Sequence, residues 1–232
     1  MKIAVFSDIH GNYLNLLSFY ESALSLNIDS YICLGDLCNY YPDNTKVIDL
    51  VKEKTTICTL GNHDELYISG KEWPEEKKIA YNFDQKLLLS EKHILYLKRL
   101  PLKYELVTKN ASILFCHASP FDLLYSYIYP DSDLSVYENI PYDIVFVGHT
   151  HRQFIRTYKN KIFCNVGSIG LPRDNGSLFG FAVIDTEDLN ITLYRKKIDI
   201  EAIKSSYGKL TTNAVIEMLD RKEIINYSYT QI

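Results

Sequence analysis

Short apolar runs alternate with amphipathic stretches along the first sixty residues. Lys2 to Phe6 forms an apolar run of strand length, and Asn12 to Leu26 follows with Leu14, Leu17, Ala23 and Leu24 spaced as one helical face. Ser30 to Leu34 predicts a second strand. Asp43 to Lys52, with Val47, Ile48 and Val51 apolar, predicts a second helix, and Thr55 to Leu60 a third strand. Strand, helix and strand in succession imply a parallel βαβ sheet whose strands all end at one edge. In open α/β sheets that carboxyl edge is where ligands bind.

Further on, Glu75 to Leu89 and Glu91 to Leu100 read as helices, the second with Ser90 as its N-cap and Pro101 as its stop. The pattern then turns strand-rich. Strands are expected at Lys103 to Val107, Ser112 to Phe115 and Ile144 to Val147, then as a hairpin through Phe154 to Tyr158 and Lys161 to Asn165. Phe179 to Ile184 and Ile191 to Tyr194 complete the set. These imply a second, partly antiparallel sheet packed on the first. Ile200 to Asp220 reads as two terminal helices. We expect one domain over residues 1–220, with 221–232 a loosely held tail.

Composition narrows the function classes. A formal charge of -4 supplies no field that would gather polyanions, which counts against a nucleic-acid binder working by general basicity. The five cysteines are odd in number, lack CxxC spacing and lie mostly in apolar runs, the pattern of buried thiols in a reducing compartment. The start runs directly into a motif, and no apolar stretch approaches membrane-spanning length. A soluble cytoplasmic protein without membrane contacts is expected.

The ends of the apolar runs carry the chemistry. Five of six histidines fall in Asp8-Ile9-His10, Gly61-Asn62-His63-Asp64, Cys116-His117 and Gly148-His149-Thr150-His151, and Gly35-Asp36 ends another run in the same way. Asp8 and His10 point the same way if the backbone stays extended, so both can grip one cation, and His149 and His151 repeat the spacing. Asp36 adds a carboxylate able to bridge two cations; Asn62 and His117 add an amide oxygen and an imidazole. Oxygen and nitrogen ligands without thiolate suit Mn, Fe, Zn, Ni or Co. Seven candidate ligands suit two metals, and two metals make a clamp that holds an attacking hydroxide against a phosphoryl group. Phosphoester hydrolysis also needs an acid for the leaving group, and His63, directly after Asn62, is placed to serve. Asp64 is assigned either to orienting His63 or to fixing the loop.

In this pattern the chain resembles the calcineurin-like metallophosphoesterases, whose DxH, GDxx, GNH[DE], lone His and GHxH blocks it matches in order over residues 1 to about 185. The resemblance implies an α/β four-layer sandwich of two mixed β-sheets packed face to face and flanked by helices. It implies that Asp8, His10, Asp36 and His151 hold one divalent or trivalent metal, that Asp36 bridges to a second held with Asn62, His117 and His149, and that His63 assists the leaving group. The segment Asn165 to Arg173 is similar to a loop bordering the site in small bacterial and archaeal phosphodiesterases, with Val166 where they carry proline. Protein serine/threonine phosphatases show GDxxDRG; here Asn39 stands where their aspartate partners the histidine, and the arginine is missing.

Other residues stay open at this level. Asn12 either caps the first helix or also touches phosphate. Arg173 either binds substrate phosphate or makes a loop ion pair. Tyr125 to Tyr129 either walls the site or packs the loop. His93 is read as a surface or packing residue, and Lys103, Lys159, Lys161, Lys196 and Lys197 as a solvated face. The expected activity is hydrolysis of a phosphodiester or a small phosphorylated or nucleotide substrate. A non-catalytic scaffold keeping the same fold is the alternative; its mark would be lost ligands, and none is lost.

Overall fold

The computed structural model describes residues 1–70, 74–80, 82, 89–223 and 228–232. The first sheet contains β1 (Lys2–Phe6), β2 (Ser30–Cys33), β3 (Ile57–Cys58), β9 (Leu178–Asp185), β10 (Ile191–Lys197) and β11 (Thr230–Gln231), in the order β11-β10-β9-β1-β2-β3. The second contains β4 (Lys103–Val107), β5 (Ser112–Cys116), β6 (Ile144–Val147), β7 (Phe154–Tyr158) and β8 (Lys161–Asn165), in the order β4-β5-β6-β8-β7. Both are mixed. In the first, β1, β2 and β3 run parallel while β9 lies antiparallel to β1; in the second, β5, β6 and β8 run parallel.

Side-chain alternation along each strand decides what the sheets bury. On β1, Ile3 and Val5 face the second sheet and join Ile113, Phe115, Ile144 and Phe146 in the layer between the sheets. Ala4 and Phe6 face the other way, into a core shared with the helices. Those helices are α1 (Tyr13–Ala23), α2 (Asn44–Lys54), α3 (Asn62–Ser69), α4 (Glu75–Ala80), α5 (Glu91–Leu97), α6 (Ile200–Tyr207) and α7 (Asn213–Glu217). Val47, Ile48 and Val51 form the buried stripe of α2, as their spacing implies. On α1 the buried positions are Asn15, Leu16, Phe19 and Ala23, whereas Leu24, expected on that face, starts a 3-10 turn and is exposed.

Two mixed sheets with flanking helices are thus present, but the layer outside the second sheet is a coil. Leu114, Cys116, Val145, Val147 and Phe163 are covered by Ile128, Leu134, Tyr137 and Ile140 from the β5–β6 connection, whose regular structure is a 3-10 turn at Ser135–Tyr137. Of the helix expected over Glu75 to Leu89, residues 75–80 are helical; residue 81 and residues 83–88 lie outside the described residues. Described residues of the C-terminal segment are tied to the rest of the fold. Glu223 pairs with Arg152, Asn175 bridges to Lys222, and β11 adds in parallel to β10. No described helix is long and apolar enough to cross a membrane.

Because β1, β2, β3, β5, β6 and β8 all point the same way, the loops after them meet at one edge. Those loops carry Asp8 and His10, Asp36, Asn62 and His63, His117, His149 and His151, and Arg173 respectively.

Candidate metal centre

The strand ends turn sharply and do not continue extended. Asp8, His10, Asp36, His149 and His151 all have positive φ, between 52° and 64°. The extended backbone expected through Asp8 and His10 is therefore absent. What aligns them is a left-handed turn in which the N–H groups of Ile9 and His10 both donate to the carbonyl of Asp36, at 2.9 Å each. The motif glycines permit the close approach this demands. A Cβ on Gly61 would sit 2.1 Å from Oδ1 of Asp36, and one on Gly148 would sit 2.5 Å from Oδ2 of Asp8.

Seven sequence-derived ligand candidates converge in two groups that share Asp36. His10, Asp8, Asp36 and His151 form the first, with Nε2 of His10 3.1 Å from Nε2 of His151, and Nε2 of His151 3.2 Å from Oδ1 of Asp8. Asp36, His117 and His149 form the second: Nε2 of His117 lies 3.4 Å from Oδ2 of Asp36 and 3.1 Å from Nδ1 of His149. Asn62 joins this group, its Oδ1 2.9 Å from the same nitrogen.

Each ligand is aimed from behind. Nδ1 of His10, His117 and His151 donates to the carbonyls of Cys38, Leu34 and Leu171 at 2.9, 2.9 and 2.6 Å, which turns the Nε2 lone pair inward. Asp8 spends Oδ2 on the N–H of His149, and Asp36 spends Oδ1 on the N–H of His63. Their other oxygens, Oδ1 of Asp8 and Oδ2 of Asp36, are buried without a hydrogen-bond partner. Lone pairs of nitrogen and oxygen facing one another in a buried space repel unless a positive charge stands between them. This donor set fits metal cations.

The electrostatics agree. Burial alone would raise Asp8 and Asp36, but the surrounding imidazoles together, His151 foremost at Asp8 and His117 foremost at Asp36, hold both carboxyls below the usual range. Burial lowers His10 well below the ordinary imidazole value, and lowers His63 to about 4 and His149 to about 3. This keeps His10 and His149 as bases, as ligands must be, whereas Asp36 raises His117 to about 9 against the burial that opposes its proton.

His63 and Arg173 stand at the rim of a cavity of about 340 Å³ that also takes in Tyr40, Lys77, Tyr125 and Tyr127. Arg173 is half-buried; its Nη2 donates to the phenol of Tyr40 at 3.1 Å, while its Nε is buried without a partner. Tyr127 stacks on His149, with ring centroids 4.1 Å apart, and the Tyr125 hydroxyl donates to Glu65 at 2.8 Å. Part of the tyrosine segment therefore walls the cavity.

Hydrogen-bond partners decide two open sequence readings and correct a third. Asp64, a catalytic candidate, points away from the cavity and accepts from the N–H groups of Asp36, Leu37, Cys38 and Gly61, so of its two readings it fixes the loop. Asn12, a substrate-binding candidate, is consumed by the fold: Oδ1 caps α1 by accepting from Asn15, and Nδ2 donates to the carbonyl of Gly170. Lys161 is not solvated; its ammonium is buried against the carbonyls of Ile140 and Tyr142. His93 is a packing residue, held between Ser90 and Asp49.

Residues outside the candidate ligand set also shape the site. Ser168 donates to the carbonyl of Asp8 at 2.7 Å, and Asn15 to that of Ile169 at 2.8 Å, locking the Asn165–Arg173 loop onto the loop after β1. Arg195, fully buried, forks onto Asp174 and anchors the far end of that loop. Asn39 contacts Nδ1 of His63.

A fold of two mixed sheets with an Asp/His cluster at their shared edge defines a metallophosphoesterase class, and sequence comparison agrees. Residues 1–189 match the calcineurin-like phosphoesterase superfamily domain, and the chain belongs to that family. It is 29% identical over 240 residues to the uncharacterised protein MJ0912 of Methanocaldococcus jannaschii, covering 95% of this chain and 96% of that protein. Among solved structures, a metallophosphoesterase from Sphaerobacter thermophilus superposes with a TM-score of 0.76 at 22% identity, covering 94% of this chain and 98% of the other. The hypothetical protein PH1004 from Pyrococcus horikoshii gives 0.77 at 22% identity, covering 97% and 99%.

Proposed function

We propose that this chain is a binuclear metal-dependent phosphoesterase acting on a small phosphorylated or nucleotide substrate, with its five buried free thiols fitting a reducing cytoplasm. The observation that carries the reading is the pair of ligand groups sharing Asp36, each with bare lone pairs turned inward. Asp8, His10, Asp36 and His151 would hold one ion; Asp36, Asn62, His117 and His149 would hold the other. Two such ions, of Mn, Fe, Zn, Ni or Co, neutralise phosphate charge and make hydroxide available at neutral pH.

The remaining work falls to the chain's own side chains. The cavity at the shared edge, about 340 Å³, has room for a small phosphoester. Arg173, with a buried unpartnered Nε, offers a forked donor to phosphate oxygens. His63 stands beside the ligand Asn62 and serves the departing oxygen through a hydrogen bond.

Purified protein loaded with Mn should hydrolyse bis(p-nitrophenyl) phosphate. His63→Ala should keep its metal by elemental analysis and lose at least about 100-fold in turnover, as the loss of one hydrogen-bond donor to a developing anion does. Fully loaded wild type that is inert across a broad phosphoester panel would overturn the reading.

A further inference from the structure

A chain of hydrogen bonds behind His63 has a fixed direction. It starts at a backbone donor, the N–H of Asn39, which donates to Oδ1 of Asn44 at 3.0 Å. Asn44 therefore turns its amide nitrogen toward the phenol of Tyr67, 3.5 Å away. The phenol accepts there and gives its own proton to Oδ1 of Asn39 at 2.7 Å. That contact orients the Asn39 amide in turn, so Nδ2 is the atom that donates to Nδ1 of His63, at 2.9 Å. A nitrogen that accepts carries no proton. The ring proton of His63 belongs on Nε2, on the opposite side of the ring from Asn39. All four residues are buried, which keeps water from substituting for any link.

We propose that Asn39 is a positioning residue that holds His63 as the neutral Nε2–H tautomer, and that the site therefore favours substrates whose leaving group departs as an anion. Phosphoanhydrides and aryl esters meet that condition better than alkyl esters. This rests on the phosphoesterase reading above. In the hydrolysis the bond from phosphorus to the leaving oxygen breaks, hydroxide from water adds to phosphorus, and the water's second proton passes to solvent. An alkoxide must take up a proton as it departs. A neutral imidazole gives up Nε2–H only by becoming an anion, so it lends a hydrogen bond and keeps the proton. A phosphate or phenolate leaves with its charge and needs that hydrogen bond and a nearby cation. Arg173 lines the same cavity as His63 with Nε unpartnered, and Lys77 stands on its wall.

The first arm of the test is read on metal-free protein by ¹⁵N NMR of His63. Nδ1 is expected as a bare, pyridine-type nitrogen and Nε2 as the protonated one; a proton on Nδ1 overturns the proposal. Asn39→Asp suits the left-handed backbone there (φ 75°), which aspartate tolerates as asparagine does. It places an acceptor opposite Nδ1, so that His63 can carry a proton on both nitrogens and release the one on Nε2. The second arm follows Mn-loaded protein on aryl phosphates of graded leaving-group acidity, with a pyrophosphate-linked and an alkyl substrate alongside. Full proton donation is worth about 10²–10⁴-fold, so the wild-type rate should fall at least about tenfold from p-nitrophenyl to phenyl phosphate, and N39D should recover most of that fall. A shallow dependence that N39D leaves unchanged overturns the proposal. Inert loaded protein would overturn the phosphoesterase reading and the substrate class with it, while the metal-free spectrum still decides the tautomer.

Discussion

His117 is where proton and metal compete most directly. Burial opposes a proton on it, yet Asp36, 3.4 Å from Nε2, together with Asp8, raises it to about 9 from an ordinary 6.5. A folded value above the unfolded one stabilises the metal-free fold fully below pH 6.5, and that contribution is lost as pH rises through 9. A cation takes the same nitrogen only after the proton leaves, so metal binding should strengthen with pH up to about 9. Thermal melts across that window should show the metal-free Tm falling and the gap to loaded protein widening; a constant gap would contradict the assignment. The candidate ligands were legible in the sequence because residue type and order carry them. Their backbone was not, since an extended Asp8–His10 and a left-handed one read alike until the carbonyl of Asp36 is seen capping the turn. Left-handed backbone costs roughly 1–2 kcal/mol for each non-glycine residue, and five ligand residues adopt it here. Asp64 and Asn12 were left between two roles for a related reason: both are polar residues beside candidate ligands, and only the partners show that backbone groups consume them.

At the scale of elements, the loops are interlocked through glycines that bring two backbones together. Gly61 has ordinary φ, but it leaves no room for a Cβ, because Oδ1 of Asp36 would lie 2.1 Å from it. Gly61→Ala must displace the carboxylate shared by both ligand groups. The variant should remain folded by circular dichroism and lose metal affinity by at least about tenfold, as losses of ligand-orienting contacts do; wild-type affinity would show that Asp36 does not need its present position. The central strands β1, β5, β6, β8 and β9 were legible because they are short, apolar and buried on both faces. Helix α3 was not, since its first turn, Asn62 to Glu65, consists of motif residues that give no apolar period. Nor was the coil outside the second sheet, whose buried anchors Ile128, Leu134, Tyr137 and Ile140 fit neither helical nor strand spacing.

Across the whole molecule, six parallel strand ends from two sheets bring side chains from Asp8 to Arg173 to one edge, and the fold contributes position more than charge. The ordered series of motifs made that convergence readable, because parallel strands place successive C-terminal motifs together. The cavity shape was not readable, since Tyr40, Lys77, Tyr125 and Tyr127 reach it from separate segments. The most direct measurement is turnover of bis(p-nitrophenyl) phosphate while metal-free protein is titrated with Mn, the metal content being followed in the same samples. Activity should rise to a plateau at two ions per chain, as the two ligand groups sharing Asp36 require; a plateau at one ion, or no activity with both bound, would contradict a binuclear phosphoesterase.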